Sequence, residues 1–197
     1  MTAPILFRSP DLHARELAAG EVARLQALYD ASPEYFVSIN GRPPGPTAAQ
    51  EEFDDLPPPE LGFSRRWMVG LFDPAGNLSG IAVVLSDFCA PRVWHIAFFL
   101  VATPLRGTGA AGRIYDALEA WMRQSGAAWL RLGVVAGNAP GERFWSKRGY
   151  REVRVREGLD TGGRINDVRV LAKPLEPHAG LDTYLALVPR DRPDARA

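Results

Sequence analysis

A glycine-rich turn between an apolar strand and a helix constrains this chain more than any other feature. The apolar run Val93–Val101 predicts a buried strand, and residues 113–124 have the apolar spacing of a helix. Between them, residues 106–112 read Arg-Gly-Thr-Gly-Ala-Ala-Gly. Small residues let a ligand approach the backbone, and the first amides of a helix have no acceptors within it. Because the helix dipole favours negative charge there, the segment predicts a phosphate-binding turn.

The length and composition are those of one globular domain without a strongly charged surface. The 197 residues suffice to bury a core, and 23 basic side chains balance 23 acidic ones. This balance argues against a charge-driven surface for nucleic acid or membrane. The single cysteine, Cys89, excludes an internal disulfide and a multi-cysteine metal site. Residues 1–8 lack a signal-peptide pattern, and no apolar run could span a bilayer, so we expect a cytoplasmic protein.

Hydrophobic patterning predicts a mixed sheet around the central turn. Apolar or alternating runs predict further strands at residues 5–8, 67–72, 78–87, 129–135, 150–157 and 167–173. The sequence Asp-Pro-Ala-Gly-Asn at 73–77 predicts a hairpin between two of them. The first strands are expected to be antiparallel, and a strand–helix–strand crossover is expected in the second half.

Helices are predicted at residues 16–29, 47–54 and 140–148, whereas the Pro- and Gly-rich residues 31–46 are predicted to be irregular. Thr47 is expected to cap the second of these helices, with Gln50 completing a capping box. Pro140 suits the first turn of the third helix. The apolar strip 181–188 is expected to dock on the body or on a second subunit, which would make a homodimer.

Two common phosphate-binding turns fit the glycines poorly. A P-loop ends in Gly-Lys-Ser/Thr, but Gly112 is followed by Arg113 and Ile114. A dinucleotide site requires Gly-x-Gly-x-x-Gly, which residues 107–112 match, and also a carboxylate after the next strand. That strand ends in Ala-Gly-Asn at 136–138, without a carboxylate. ATP and NAD are therefore not the leading ligands.

Two motifs in order resemble the GCN5-related N-acetyltransferases (GNAT). Residues 106–111 fit Arg/Gln-x-x-Gly-x-Gly/Ala, the acetyl-CoA signature of that family. Residues 138–150 resemble its second segment, an Asn followed after six residues by Tyr-x-Lys-x-Gly-Phe. The resemblance covers about residues 64–174 and implies a mixed α/β fold. In that fold a mostly antiparallel sheet contains two splayed parallel strands and has helices on both faces. The resemblance also implies one domain over residues 1–174, in which residues 31–64 lie on the acceptor side. Residues 175–197 would form a C-terminal tail.

The resemblance also implies which residues would bind acetyl-CoA. The pantetheine arm enters between the splayed strands, and the turn amides hold the pyrophosphate. The residues implied are Phe99, Leu100, Val101, Arg106, Gly107, Thr108, Gly109, Ala110, Ala111, Gly112, Asn138 and Trp145. For the glycines the alternative is a plain strand-to-helix turn, and for Asn138 it is a helix cap.

The implied reaction is direct acetyl transfer to a primary amine of a small molecule or protein, without a metal. His95 is the candidate base, because it lies eleven residues before Arg106, where the histone-acetylating branch has its catalytic glutamate. The alternative is a histidine packed in a half-buried strand. The usual tyrosine acid is replaced by Trp145, whose indole does not protonate a thiolate, so the acid is not identified. A non-catalytic CoA-binding regulatory module is therefore the alternative function, and a nucleotide-dependent enzyme is the third.

Acidic and aromatic side chains are concentrated on the acceptor side. The acidic residues are Glu34, Glu51, Glu52, Asp54, Asp55 and Glu60, interspersed with Tyr35, Phe36 and Phe53. A cationic amine is the acceptor that such residues would favour, with Tyr35, Asp55 and Asp87 as candidate contacts. The alternative is a solvated helix face.

Overall fold

One mixed sheet with helices on both faces forms the body of the protein. The computed structural model describes residues 3–195. The strands are β1 (Ile5–Arg8), β2 (His13–Glu16), β3 (Arg65–Phe72), β4 (Leu78–Ser86), β5 (Val93–Val101), β6 (Trp129–Val135), β7 (Arg151–Asp160) and β8 (Ile165–Pro174). The α-helices are α1 (Val22–Asp30), α2 (Pro33–Asn40), α3 (Ala48–Asp54), α4 (Ala110–Gln124), α5 (Ala139–Lys147) and α6 (Leu181–Leu187). The strand order is β1-β2-β3-β4-β5-β6-β8-β7.

Only one pair of neighbouring strands in the described part of the chain is parallel. β5 and β6 run in the same direction, joined by α4, and every other neighbouring pair is antiparallel. This confirms the predicted mixed α/β fold, the hairpin of β3 and β4, and the crossover through the glycine-rich turn. The fold brings the turn to the carboxyl end of β5, in the middle of the sheet.

The two faces of the sheet have separate hydrophobic cores. On one face α4 packs through Ile114 and Leu118 against strand residues that include Val84 and Ile96. On the other face α1 and α2 pack against alternate residues of the same strands, among them Val83 and Leu100. Since successive side chains of a strand point to opposite faces, α1 and α2 lie on one side of β5 and α4 lies on the other.

Three predictions near the N-terminus are wrong. The first helix begins at Val22, and His13–Glu16 is a strand that pairs with β3. The segment predicted to be irregular contains α2, which begins with Pro33 and ends at a left-handed Gly41. The predicted capping box is absent, because the Thr47 hydroxyl donates to the Glu51 carboxylate, 2.6 Å away, instead of accepting from the helix backbone.

The C-terminal segment docks on the body. Residues 181–188 contain α6, in which Tyr184 is fully buried, and Val188 is buried beyond it. Both pack with Trp129 and Val170 on the sheet. Asp191 follows and is also fully buried. Among residues 3–195, no helix is both long and apolar enough to cross a membrane.

Candidate active site

The strands β5 and β6 separate halfway along their length. Their parallel pairing runs from Val93 with Trp129 to Ile96 with Leu132 and stops there. Beyond it, β5 stays paired with β4, and β6 stays paired with β8. Ala97 is an extra residue in β5, since Ile96 and Phe98 pair with the adjacent residues Val84 and Val83. Such bulges bend a strand, and this one lies where the two strands diverge.

A cavity of about 1470 Å³ fills the gap between the separated strands. Its walls include the residues of β5 from Ile96 to Val101 and of β6 from Leu132 to Val135. Of the residues that the sequence predicts for acetyl-CoA, Phe99, Leu100, Val101, Arg106, Ala111, Asn138 and Trp145 line it. The remaining residues of 106–112 form the turn beside it. The fold therefore brings the predicted donor residues to one cleft.

The glycine-rich turn offers free backbone donors. Within residues 3–195, the amides of Gly107, Thr108, Gly109 and Ala111 have no hydrogen-bond acceptor. Gly107 and Gly109 have φ of 76° and 81°, a left-handed conformation that favours glycine. A Cβ added to Gly107 would meet no protein atom within 4 Å, so the space over this residue is open. These features fit an anionic group held by backbone amides.

Three arginines near the turn form ion pairs with acidic side chains. Arg106 donates to the Glu34 carboxylate of α2 across 2.7 Å, which joins the acceptor-side helix to the turn. Arg113 forms two hydrogen bonds with Asp11. Arg148 lies over Gly112 and pairs with Asp116, and a Cβ on Gly112 would come within 1.9 Å of its guanidinium. A side chain at position 112 would therefore displace the Arg148 guanidinium from α4.

Asn138 and Trp145 both have structural contacts at the cleft. The Asn138 side chain accepts from the Gly141 amide at 3.2 Å and caps α5, as one of the two interpretations predicts. Trp145 packs edge-on against Tyr115, Tyr150 and Phe144. Their contacts to pantetheine stay predictions.

Acidic residues line the end of the cleft that the sequence analysis predicts to receive the acceptor. Glu51, Glu52, Asp54 and Asp55 of the α3 region lie there, together with Tyr35. We call the four carboxylates the acidic wall. Two of the predicted acceptor contacts, Tyr35 and Asp55, are therefore in the cleft.

The third predicted acceptor contact lies elsewhere. Asp87 is in the turn after β4, where its carboxylate accepts from the Arg92 amide at 2.7 Å, and it is not among the described residues that line the cleft.

Glu52 has an unusual environment within the acidic wall. Burial raises its pKa to about 7; the nearby Asp55 carboxylate contributes in the same sense, and Arg66, 3.0 Å from Oε1, opposes the shift. The hydroxyl of Tyr29 also reaches the cleft, is buried, and has no hydrogen-bond partner within residues 3–195. Burial, and then the Glu52 carboxylate, raise the pKa of Tyr29.

Sequence reasoning did not distinguish these two residues. In the sequence, Glu52 is one of several acidic residues on the acceptor side, and Tyr29 is the last residue of a predicted helix. No local signal marks either one, because their burial depends on how α1 and α3 pack together.

His95 faces a second, smaller cavity of about 250 Å³, not the main cleft. Its ring stacks on Phe88 at 4.6 Å, and Nδ1 lies 3.2 Å from the carbonyl oxygen of Arg131. Burial, and then the Arg131 cation, lower the pKa of His95 to about 3. His95 is therefore neutral near pH 7, and its catalytic role stays a prediction. Within residues 3–195 no group of three His, Cys, Asp or Glu side chains is placed to hold a metal.

The comparisons with known proteins agree with this geometry. Residues 25–150 match the family described as Acetyltransferase (GNAT) family. A comparison with curated protein sequences found no match at the significance required.

Three solved structures illustrate the shared fold. The ribosomal-protein-S18-alanine N-acetyltransferase from Escherichia coli superposes with a TM-score of 0.61 at 17% identity, over 85% of this chain and 95% of that one. The spermidine N-acetyltransferase from Vibrio cholerae, in complex with CoA and spermine, gives 0.61 at 16% identity, over 83% and 95%. A Salmonella typhimurium acetyltransferase that modifies the N-terminal serine of ribosomal protein L7/L12 gives 0.66 at 13% identity, over 85% and 97%.

At these identities the three likenesses show the fold alone. The family match covers more than half of the chain, and it coincides with the separated strands and the glycine-rich turn described above. The chain belongs to the acetyltransferase (GNAT) family.

Proposed function

We propose that this protein transfers the acetyl group of acetyl-CoA directly to a primary amine that arrives as a cation. The observation that carries the proposal is the single cleft with two chemically different ends. One end has free amides at a glycine-rich turn, and the other has the acidic wall. A phosphate-bearing donor suits the first end, and an ammonium group suits the second.

Backbone groups support the donor side of the proposal. The diphosphate group of CoA carries negative charge, to which free amides at a helix N-terminus can donate hydrogen bonds. The separated strands leave the inner edges of β5 and β6 without partners beyond Ile96 and Leu132. An extended pantetheine arm with amide groups can hydrogen-bond to such an edge as an added strand does. Phe99 and Trp145 supply apolar surface beside it.

The transfer needs a proton acceptor, because an ammonium nitrogen has no lone pair. Glu52 in its ionised form takes the first proton. The amine nitrogen then forms a bond to the thioester carbonyl carbon, the carbon–sulfur bond breaks, and CoA leaves as a thiolate. Water protonates the thiolate, and the second proton of the nitrogen passes to solvent. Free amides of β5 would stabilise the negative charge on the carbonyl oxygen.

Glu52 suits the role of base better than His95 does. A general base works best with a pKa close to the working pH, and the pKa of Glu52 is about 7. The pKa of His95 is about 3, and the ring faces the second cavity. The Tyr29 hydroxyl, which has no partner in the described chain, would accept or donate one hydrogen bond at the amine.

Incubation with acetyl-CoA and a panel of amines tests the proposal. The panel should contain a polyamine, an aminoglycoside, a lysine peptide and an N-terminal alanine peptide, and release of free thiol should be followed. We expect thiol release with a cationic amine at a rate well above acetyl-CoA hydrolysis. CoA binding without turnover on any amine would instead favour a regulatory CoA-binding module. A larger rise in melting temperature with ATP or NAD than with CoA would favour a nucleotide-dependent enzyme.

A further inference from the structure

The second cavity has an excess of positive charge. It lies on the face of the sheet that carries α1 and α2, and the residues at its walls include Arg131, Arg156 and Arg190 with His95. They come from β6, β7, the segment after α6 and β5, so the cavity forms only when the C-terminal segment is docked. The loop after α3 contributes Asp55 and Pro57 to its rim.

Among residues 3–195, only one of the three arginines forms an ion pair with an acidic side chain. Arg131 forms a buried ion pair with Asp191, at 2.7 Å between Nε and Oδ2. Within residues 3–195, Arg156 and Arg190 form no ion pair. Arg190 lies 4.0 Å from the Cys89 sulfur and accepts, through its carbonyl oxygen, a hydrogen bond from Arg154. Burial lowers the pKa of Arg156, the cations of Arg190, Arg131 and Arg154 add to this effect, and the Asp191 carboxylate opposes it.

Without a bound anion, this cluster of arginines destabilises the folded protein. Cations that are partly desolvated and lack partners repel each other, and an oxyanion between them would remove that repulsion. Guanidinium groups are well suited to the task, because each can donate two parallel hydrogen bonds to a carboxylate or a phosphate. Asp55 is exposed at the rim, and the single Asp191 carboxylate, which is bonded to Arg131 and also attracts Arg156 and Arg190, offsets only one of the three positive charges.

The second cavity adjoins the acceptor end of the cleft. Asp55 lines both cavities. On β5, His95 faces the second cavity, and its neighbour Ile96 lines the cleft. A molecule with an amine at the acidic wall could therefore extend a second group toward the arginines.

We propose that the second cavity binds a carboxylate or phosphate group of the acceptor molecule. The acceptor would then carry both charges: an ammonium recognised by the acidic wall and an oxyanion held by Arg156 and Arg190. The assignment of the bound oxyanion to the acceptor rests on the proposed function. The existence of an anion site does not depend on that function.

Inorganic phosphate tests the site without any turnover. We expect phosphate at low ionic strength to raise the melting temperature of the wild-type protein. Arg156→Gln should lose at least half of that rise. Arg151→Gln, which removes an exposed arginine from the same strand, should retain it. The glycine-rich turn is unchanged in both variants, so phosphate bound there cancels in the comparison. Equal rises in the two variants would overturn the anion site.

The melting temperature of Arg156→Gln without phosphate tests whether Arg156 instead stabilises the fold. If Arg156 repels its neighbours, Arg156→Gln should melt at the same temperature as the wild type or higher. A melting temperature below that of the wild type in phosphate-free buffer would mean that Arg156 has a structural role, and it would count against the proposal.

Matched amines test whether the anion belongs to the acceptor. Lysine and its decarboxylated analogue cadaverine differ only by the carboxylate. We expect a lower KM for lysine, and we expect Arg156→Gln to raise the KM for lysine about tenfold without changing that for cadaverine. Equal KM values in the wild type, or acetylation of cadaverine alone, would overturn the acceptor assignment. Acetylation of neither amine nor of the wider panel would overturn the proposed function, while the phosphate comparison would still decide the anion site.

Discussion

Arg131 of β6 and Asp191 of the C-terminal segment form a buried ion pair with two hydrogen bonds. Nε and Nη2 of the arginine lie 2.7 Å and 3.0 Å from Oδ2 and Oδ1 of the carboxylate. Tyr184 donates its hydroxyl hydrogen to the same carboxylate at 2.5 Å. Because Arg131 is paired in register with His95, the ion pair joins the C-terminal segment to the last paired portion of the two parallel strands.

Asp191→Asn should destabilise the protein by about 3 to 5 kcal/mol, because it leaves the Arg131 cation buried without its counter-charge. Urea unfolding at pH 7 measures the change. Asp182→Asn, in the exposed first turn of α6, is the control and should change the free energy of unfolding by less than about 0.5 kcal/mol. Similar values for the two variants would mean that the tail contributes little to the stability of the sheet.

Gly107→Val should weaken CoA binding at least tenfold, because the added side chain enters the open space over the turn amides. Gly76→Val is a matched control. Gly76, in the β3–β4 hairpin, has φ of 84°, close to the 76° of Gly107, and likewise has no atom within 4 Å of an added Cβ. The two variants should lose similar stability, but only the first should lose CoA affinity by calorimetry. Equal affinities would remove the turn from the donor site.

Glu52→Gln should lower kcat/KM for the amine about 100-fold or more, because the carboxylate would no longer take the proton. In the wild type, kcat/KM should rise with pH through about 7 as Glu52 ionises, and this dependence should vanish in the variant. Glu60→Gln, an exposed residue that lines neither cavity, is the control. If Glu52→Gln keeps the wild-type profile and His95→Ala loses about 100-fold, His95 is the base.

His95 should make the protein less stable in acid. Its pKa is about 3 when folded and about 6.5 when unfolded, so the unfolded chain binds a proton that the folded chain rejects. This contribution to stability is present above pH 6.5 and is lost as the pH falls toward 3. Between pH 7 and 5 the loss should be about 1 to 2 kcal/mol in urea unfolding.

The effect of His95 on stability is measured as the difference between the wild type and a His95 variant, because Glu52 changes the free energy of unfolding in the opposite sense over the same pH range. A glutamate with a raised pKa favours the folded state at low pH and loses that effect as the pH rises from about 4.5 to 7. His95→Asn should therefore lose less stability than the wild type between pH 7 and 5. His178→Asn, at an exposed residue, should follow the wild type.

Local signals were sufficient for the central part of the fold. The hairpin of β3 and β4 is encoded by apolar runs around a Pro-Ala-Gly turn, and the turn before α4 is encoded by its glycines. The segments whose structure was predicted wrongly depend on contacts with residues distant in the sequence. β2 has no pattern of its own and is a strand because β3 offers it partners. α2 begins with proline and ends at glycine, which are helix boundaries as often as they are loop residues.

The candidate site likewise has one part that local motifs predict and another that they do not. The proposed donor side lies within two contiguous segments, so the motifs could predict it from sequence. The acceptor side depends on how separate helices, loops and the tail come together. Glu51 is exposed, whereas Glu52 is half-buried beside Arg66. Arg151 is exposed, whereas Arg156 of the same strand is half-buried at the second cavity. The charge of a residue can be read from the sequence, whereas its desolvation requires the packed structure.

The separation of β5 and β6 has a consequence for amide hydrogen exchange. At one end the sheet is continuous, and at the other it is two half-sheets whose inner edges face each other across solvent. Inner-edge amides of β5 beyond Ile96 should therefore exchange quickly in the free protein, although they lie in the middle of an eight-stranded sheet. A donor that adds itself as a strand would slow them. Exchange at these few amides would thus report occupancy of the cleft before any acceptor has been identified.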